Sequence, residues 1–320
     1  MREGKHVYCE KPLTHNIAEA RLVAKVAAET GVATQLGNGG HSSEELRRTV
    51  ELIQAGTIGD VTEVHAWVPA TRWNPSISGR PKKAMPVPAG FDWDLWLGPR
   101  KPVEFHSAYA PVAWRDFWDY GLGAMGDFGC HDLDAAVWAL DLKAPTSVEM
   151  HPAGFMSDEI IPFGELGYFE FAARGEKPPV KITWYSGGPK PEKPEALTGR
   201  ELPGRGVMFV GDKGQLLVPA YEPGPVFVEP ELQEKYKDTP KTLARSTGHH
   251  QEWIDAARGG DAAGSNFAYG AFLTEITLLG VLALRLGKKI DWDNDAMKVT
   301  NSDKAEKILK GEYRSGWELS

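Results

Sequence analysis

The apolar positions of the first 55 residues alternate between the short runs of β-strands and the 3.6-residue period of helices. Asn16 and Glu19 have the spacing of a capping box, and Gly31 follows the last helical position, so the first helix has a start and a stop signal. The predicted elements are a strand at 7–9, a helix at 16–30, a strand at 32–36 and a helix at 42–55. This order, strand then helix twice over, predicts parallel α/β structure.

After residue 57 the pattern changes to the two-residue alternation of half-buried strands, beginning with residues 61–68. Short β-prone runs separated by Gly and Pro turns predict a largely antiparallel sheet. These runs lie at 146–150, 166–173, 180–185, 207–210, 215–218 and 226–228. Helices predicted at 247–258 and 267–287 cover the sheet. The expected fold class is therefore α/β plus α+β, with a domain boundary near residue 57.

The composition of the 320-residue chain is that of a globular protein, with 42% hydrophobic and 25% charged residues. The net charge of -8 argues against binding to nucleic acids or anionic membranes, because both need a basic surface. Cys9 and Cys130 alone do not resemble a disulfide framework, and no apolar signal segment follows Met1. We therefore expect a cytoplasmic protein, with an export signal upstream of Met1 left open. Residues 271–286 are strongly apolar, but two charged residues interrupt them, which predicts a buried helix rather than a membrane span.

The segment Glu10-Lys11-Pro12 places a charged pair directly after the first predicted strand. Ligands of open parallel sheets bind at the carboxyl ends of the strands, and a proline restricts the residue before it to extended geometry. Lys11 is therefore a candidate catalytic lysine. The alternative is an ordinary solvated Glu–Lys pair at a strand end.

A glycine-rich run at 121–126 leads into a helical pattern that carries Asp127 and His131 four positions apart, hence on one face of the helix. Histidine titrates near neutral pH and a nearby carboxylate stabilises its charged form, so the pair is suited to act as a general base. Three alternatives stay open. Asp127 caps the helix, His131 is a satisfied core histidine, or Asp127, His131 and Asp134 are metal ligands at i, i+4 and i+7.

Residues 67–120 form a long segment rich in proline and aromatic residues, more typical of a substrate-covering loop than of a connector. Flat aromatic faces bind the C–H surfaces of sugars, and arginine donates paired hydrogen bonds to polar groups. The residues of these two kinds are Trp93, Trp96, Tyr109, Trp114, Arg115 and Trp118. The alternatives are that these aromatics pack the loop onto the sheet or build a dimer interface.

Together the motifs resemble the Gfo/Idh/MocA family, named after glucose-fructose oxidoreductase, inositol dehydrogenase and rhizopine catabolism. The resemblance covers nearly the whole chain, in the segments Glu10-Lys11-Pro12, Gly59-Asp60-Val61, Tyr109-x-Pro111-x-x-Trp114-Arg115, Asp127-x-Gly129-x-His131-x-x-Asp134, Trp292-Asp293 and Tyr313-Arg-Ser-Gly-Trp317. It implies that residues 1–57 are the C-terminal remnant of a Rossmann dinucleotide-binding domain. Residues 58–320 would then be a larger α+β domain for substrate binding and oligomerisation, with a mostly antiparallel open sheet.

The same resemblance implies a homo-oligomeric enzyme that transfers hydride between NAD or NADP and a secondary alcohol of a sugar, polyol or sugar derivative, without a metal. Lys11, Asp127 and His131 would form its catalytic triad. It also assigns ligand contacts, with Glu10, Lys11 and Asn38 at the cofactor and Arg115, Tyr109, Trp114 and His41 at the substrate. An alternative activity within the family is NAD-dependent cleavage of glycosides.

One departure from the family pattern concerns the turn that binds the cofactor pyrophosphate. No Gly-x-Gly-x-x-Gly segment precedes Glu10, and Gly37-Asn38-Gly39-Gly40 lacks that spacing. We therefore expect an N-terminally shortened protein, lacking roughly a hundred residues, or about three βαβ units. Its strand at 7–9 would have one bare edge, which favours self-association. A further alternative is a non-catalytic fragment that no longer binds dinucleotide.

Overall fold

Two β-sheets and nine α-helices make up residues 1–319, the part of the chain that the computed structural model describes. The strands are β1 (Val7–Glu10), β2 (Thr34–Gly37), β3 (Val61–Val68), β4 (Ser147–Ala153), β5 (Gly164–Phe171), β6 (Val180–Ser186), β7 (Gly206–Gly211), β8 (Gly214–Pro219), β9 (Val226–Phe227), β10 (Ile290–Asp293) and β11 (Lys298–Val299). The helices are α1 (Ile17–Thr30), α2 (Glu44–Gln54), α3 (Trp93–Leu97), α4 (Gly123–Asp132), α5 (Asp134–Ala139), α6 (Pro230–Lys235), α7 (His249–Ala257), α8 (Phe267–Leu286) and α9 (Ala305–Lys310).

The N-terminal part is a βαβ unit in which β1 and β2 pair in parallel and α1 connects them. The predicted capping box is confirmed, because the Asn16 side chain accepts from the Glu19 N–H and the Glu19 side chain accepts from the Asn16 N–H. Gly31 ends α1 in the left-handed conformation, with φ of 64°. Within residues 1–319, β1 pairs with β2 alone, so its other edge is unpaired, as expected.

The second sheet has nine strands in the order β11-β10-β4-β5-β6-β3-β7-β8-β9. Every neighbouring pair is antiparallel except β3 with β6, which confirms the predicted mostly antiparallel sheet. Its strands alternate as predicted. Phe169 and Phe171 of β5 are buried, while Tyr168 and Glu170, which alternate with them, are half-buried. One face of the sheet is therefore available to pack against helices.

Helix α8 is the central helix of the core and lies against α1, α4 and β4. Of the described helices it alone is long and apolar enough to cross a membrane, yet most of it is buried inside the fold, which confirms the buried-helix prediction. Its buried Glu275 accepts a hydrogen bond of 2.6 Å from Arg21 of α1. One hydrophobic cluster contains Ile17 and Leu36 as well as Val64 and Phe169, so the core is continuous across residue 57.

The aromatic segment at 67–120 contains little regular structure beyond α3, and its rings pack on one another. Trp93 and Trp96 stack with ring centroids 4.7 Å apart, and Tyr109 lies 4.7 Å from Phe117. These rings form a small hydrophobic cluster of their own, which also contains Ile160.

Candidate active site

Helix α4 carries the second motif, and its position is determined by β5 and α8. Glu165 of β5 accepts a hydrogen bond of 2.9 Å from the Met125 N–H, which would otherwise be one of the unsatisfied donors of the first helical turn. Gly129 faces α8 so closely that a Cβ atom there would lie 2.8 Å from the Thr277 side chain. The sequence between 121 and 129 therefore allows α4 to approach the core helix closely.

Folding brings Lys11 into contact with Asp127, 116 positions away in the chain. Lys11 Nζ lies 2.7 Å from Asp127 Oδ1 and also donates to the main-chain carbonyl oxygen of Asp127. Arg115 Nε lies 3.2 Å from Asp127 Oδ2, so one carboxylate is held between two cations. The Lys11 and Asp127 side chains are 18% and 16% exposed, which leaves the cluster accessible to a small molecule.

Two cavities adjoin this cluster, and both Arg115 and Asp127 line each of them. One, of about 350 Å³, is bounded by Trp73 and Phe128; the other, of about 290 Å³, is bounded by Lys11 and further aromatic side chains. The Arg115 guanidinium also stacks on Trp114 and Trp73, at 4.3 and 5.5 Å from the ring centroids. Arg115 and Trp114 thus lie at a cavity, as a substrate contact requires.

His131 lies one helical turn after Asp127 on α4 and is half-buried. Burial, followed by the charges of Lys11 and Arg205, lowers the pKa of His131 to about 4, although Asp134 and Asp127 oppose the shift. No hydrogen bond joins His131 to Asp127 in the described part of the chain, since the carboxylate faces Lys11 and Arg115 instead. Asp127 therefore acts on His131 through its charge, and the imidazole is neutral at pH 7.

We expect the ring protons of His131 in the free protein to titrate with a midpoint near pH 4, measured by NMR. Lys11→Met should raise this midpoint, because it removes the nearest cation that disfavours the imidazolium. Lys25→Met on the exposed face of α1 is the charge-matched control and should leave the midpoint unchanged. A wild-type midpoint close to 6.5 would show that His131 is hydrated rather than half-buried.

Asp134, the last acidic position of the motif, belongs to a different and fully buried network. Its carboxylate accepts from Asn38 Nδ2 at 3.0 Å and from the Tyr269 hydroxyl at 2.5 Å, and lies 3.0 Å from His41 Nδ1. The side-chain oxygen Oδ1 of Asn38 accepts a hydrogen bond from the Ser265 hydroxyl. Asn38 and His41 are 0% and 3% exposed, so the structure does not bring these two predicted ligand contacts to the Lys11 cluster.

The structure also separates the residues of the metal-site alternative. Asp134 points toward Asn38 and His41, whereas Asp127 points toward Lys11. Among residues 1–319 no three side chains of His, Cys, Asp or Glu are placed to hold a metal ion together.

Of two further predicted contacts, Tyr109 lies away from the cluster, whereas Glu10 directly precedes Lys11. Tyr109 is 3% exposed and packed among Trp93, Phe117 and Tyr120, so its ring serves the aromatic segment. Glu10 is exposed at the end of β1 and pairs with Gly37 in register.

Sequence reasoning missed the ion pair between Asp132 and Arg205. Arg205 Nε and Nη2 each lie 2.8 Å from an Asp132 oxygen, and the guanidinium lies 4.9 Å from the ring centroid of Phe128. Burial raises the pKa of Asp132 to about 6, against the opposing effect of Arg205. No spacing signal links positions 73 residues apart, so only the fold reveals this pair next to His131.

The glycine run at 121–126 has, letter for letter, the Gly-x-Gly-x-x-Gly spacing of a dinucleotide turn. The structure excludes that role for it. A 3-10 turn at Ala113–Asp116 precedes it instead of a strand, and the buried carboxylate of Glu165 occupies the N-terminus of α4, where a pyrophosphate would have to lie. The spacing alone is therefore misleading here.

Comparison with known proteins agrees with this architecture. Residues 44–169 match the family model for the C-terminal alpha/beta domain of the Gfo/Idh/MocA oxidoreductases. Residues 44–169 are thus similar to that domain of the Gfo/Idh/MocA oxidoreductases. The family resemblance read from its sequence motifs is thereby confirmed, whereas no curated protein sequence matches the chain.

Solved structures share the fold of this chain at low sequence identity. The WlbA dehydrogenase from Bordetella pertussis in complex with NADH and UDP-GlcNAcA is 16% identical, with 91% of this chain and 73% of that chain covered and a TM-score of 0.58. The aldose-aldose oxidoreductase from Caulobacter crescentus complexed with glycerol has the same identity and coverages and a TM-score of 0.57. The NAD-binding protein from Listeria innocua is 13% identical, covers 91% and 76%, and has a TM-score of 0.56.

Proposed function

We propose that this protein catalyses hydride transfer between NAD or NADP and a secondary alcohol carbon of a sugar, polyol or sugar derivative. The observation that supports this most is the contact of Lys11 with Asp127 beside two cavities. The structures of WlbA with NADH and UDP-GlcNAcA and of the aldose-aldose oxidoreductase with glycerol are consistent with such a substrate.

In the proposed reaction His131 accepts the hydroxyl proton, because its lowered pKa keeps the imidazole neutral at pH 7. Lys11 donates a hydrogen bond to the reacting oxygen and stabilises the negative charge that develops on it. Asp127 positions the Lys11 ammonium, while Arg115 shares that carboxylate and faces the cavity. Trp114 and Arg115 would contact the sugar.

The described residues fit the nicotinamide half of a dinucleotide better than its pyrophosphate. Lys11 and Glu10 lie at the carboxyl end of β1, where ligands of parallel sheets bind. A bound nicotinamide ring supplies the hydride acceptor that no side chain provides. Within residues 1–319 no Gly-x-Gly-x-x-Gly turn joins a strand to a helix, so the proposal assigns only the nicotinamide-side contacts to these residues.

We also propose that the protein forms homo-oligomers in a cytoplasmic setting. The unpaired edge of β1 is the feature that favours association of copies, since bare strand edges pair readily. The molar mass measured by light scattering during size-exclusion chromatography tests this, and a strictly monomeric mass would contradict it.

The activity is tested by mixing the full chain with NAD or NADP and a panel of sugars and polyols, and following the absorbance of reduced nicotinamide. Asp127→Asn should slow turnover by about tenfold to a hundredfold, because the hydrogen bond that Lys11 donates loses its negatively charged acceptor. Asp141→Asn, at an exposed turn, is the matched control and should behave like the wild type.

Other outcomes discriminate among the alternatives. Cleavage of an aryl glycoside in the presence of NAD, without net reduction, would favour the glycoside-cleaving activity. Absence of both reactions, together with no binding of NAD or NADP in calorimetry, would contradict the proposal and favour a non-catalytic fragment.

A further inference from the structure

A cavity of about 410 Å³ lies outside the Lys11–Asp127 cluster, between the end of α8, the helix α9 and the chain just before α1. Its lining includes five cationic side chains and three carboxylates. The charge balance is therefore positive in a protein whose net charge is -8. Such a local reversal of sign attracts small anions.

Two of the cations are not neutralised by a carboxylate. Arg285 makes no ion pair within residues 1–319 and lies 5.4 Å from the ring centroid of Trp118, while Arg100 donates only to the Glu312 carbonyl oxygen, at 3.4 Å. The remaining cations have partners: Arg80 pairs with Asp119, and Lys101 and Lys307 share Glu312 at 3.2 and 2.9 Å.

The surroundings of Arg285 are costly for a positive charge. Burial, the largest cause, lowers the pKa of Arg285 and the neighbouring Arg100 lowers it further, although Asp119 and Asp158 partly oppose this. A half-buried guanidinium without a carboxylate partner is unfavourable unless a ligand pairs with it.

His15 adds an independent observation at the same cavity. Its Nε2 atom is shielded from solvent and has no hydrogen-bond partner in the described chain. Burial and the charges of Arg100 and Arg285 lower the pKa of His15 to about 3, although hydrogen bonds with the main chain of Trp118 and Gly121 oppose the shift, so the ring is neutral. A buried polar atom without a partner, beside two cations that no carboxylate neutralises, indicates a site that binds a polar ligand.

We propose that this cavity binds an oxyanion of the phosphate or carboxylate type through Arg285 and Arg100. The planar guanidinium group donates two parallel hydrogen bonds to a pair of oxygen atoms of a carboxylate or a phosphate. His15 lines both this cavity and the one beside Lys11, so the two sites adjoin. The site goes beyond the proposed reaction and does not depend on it.

Calorimetric titration of the full chain with inorganic phosphate tests the site. The wild type should bind, and Arg285→Met should weaken binding by about tenfold or more, as expected for loss of a charge-assisted hydrogen bond. Arg100→Met should act in the same direction, which guards against a folding defect specific to one variant. Arg200→Met, in an exposed pair with Glu222, is the matched control and should bind like the wild type.

NMR of His15 supplies a second readout that a purely structural role of Arg285 would not move. A bound anion offsets the charges of Arg285 and Arg100, so saturating phosphate should raise the pKa of His15. Equal phosphate affinity in the wild type and both arginine variants, or no binding at all, would overturn the proposal.

Titrations with glucose 6-phosphate and with glucose distinguish a free anion from the charged group of a larger molecule. Glucose 6-phosphate that binds more tightly than phosphate, and competes with it, would identify the anion as a substituent of a sugar. Equal affinity for the two would identify a free oxyanion. Glucose that displaces bound phosphate equally well would contradict the proposal, because it carries no anionic group.

Discussion

Replacing Lys11 with methionine should lower the rate of hydride transfer by about a hundredfold to a thousandfold, the usual cost of removing one donor aimed at a developing oxyanion. Lys11 reaches Asp127 at 2.7 Å beside the two cavities, and methionine keeps most of its length without the charge. The rate is measured as formation of reduced nicotinamide at saturating substrate, so that a change in kcat is separated from a change in KM.

The fold should survive this substitution, because Arg115 still neutralises the Asp127 carboxylate. Circular dichroism and the midpoint of denaturant unfolding check this point. Lys25→Met, which removes an equal charge from a side chain that is 71% exposed, should retain wild-type kcat. A Lys11→Met protein with an unchanged kcat would remove Lys11 from the reaction.

Glu165→Gln should increase the free energy of unfolding above neutral pH by about 3 kcal/mol. Burial raises the pKa of Glu165 to about 7 from the usual 4.5, against hydrogen bonds from Trp184, Met125 and Ser186. The folded state thus favours the protonated form. The contribution of protonated Glu165 to the free energy of unfolding is fully present below pH 4.5 and is lost as the pH rises through 7. Glutamine mimics the protonated carboxyl at every pH.

The measurement is the free energy of unfolding from urea titrations of both proteins between pH 5 and 8. The difference between variant and wild type should grow by about 2 to 3 kcal/mol over that range, since each pKa unit corresponds to 1.36 kcal/mol. Other titrating groups, such as Asp132 and His131, are present in both proteins and cancel. Glu170→Gln, on the same strand but half-buried on the opposite face, is the control and should show no such growth. A difference that does not vary with pH would show that Glu165 is ionised in the folded protein.

The Glu165 carboxyl also connects stability to the site. It holds the first turn of α4, the helix that carries Asp127 and His131. Ionisation of Glu165 above pH 7 therefore adds a buried charge at the first turn of the helix that carries the candidate catalytic residues. No local sequence motif predicts that Glu165 lies there, because the pairing of the strands determines its position.

Motifs predicted many residues of the candidate site, but they did not predict which of these residues contact one another. Lys11 and Asp127 were named from separate segments, and the structure brings them together. Asp127 influences His131 through its charge and not through a hydrogen bond, because Lys11 and Arg115 contact the carboxylate. His41 and Tyr109 were chosen for their chemistry, yet both are buried, and burial depends on residues distant in the chain.

The sequence by itself determined the local elements: the capped helix α1, the alternating strands of the large sheet and the apolar helix α8. Caps, periodicity and turns depend on neighbours within a few positions, so they can be read without the fold. Only the tertiary structure decided which charges meet, which histidines are neutral, and that the Gly121–Gly126 spacing serves packing of a helix rather than binding of a pyrophosphate. These properties arise from contacts and desolvation between segments as far apart as Lys11 and Asp127, and no local pattern encodes them.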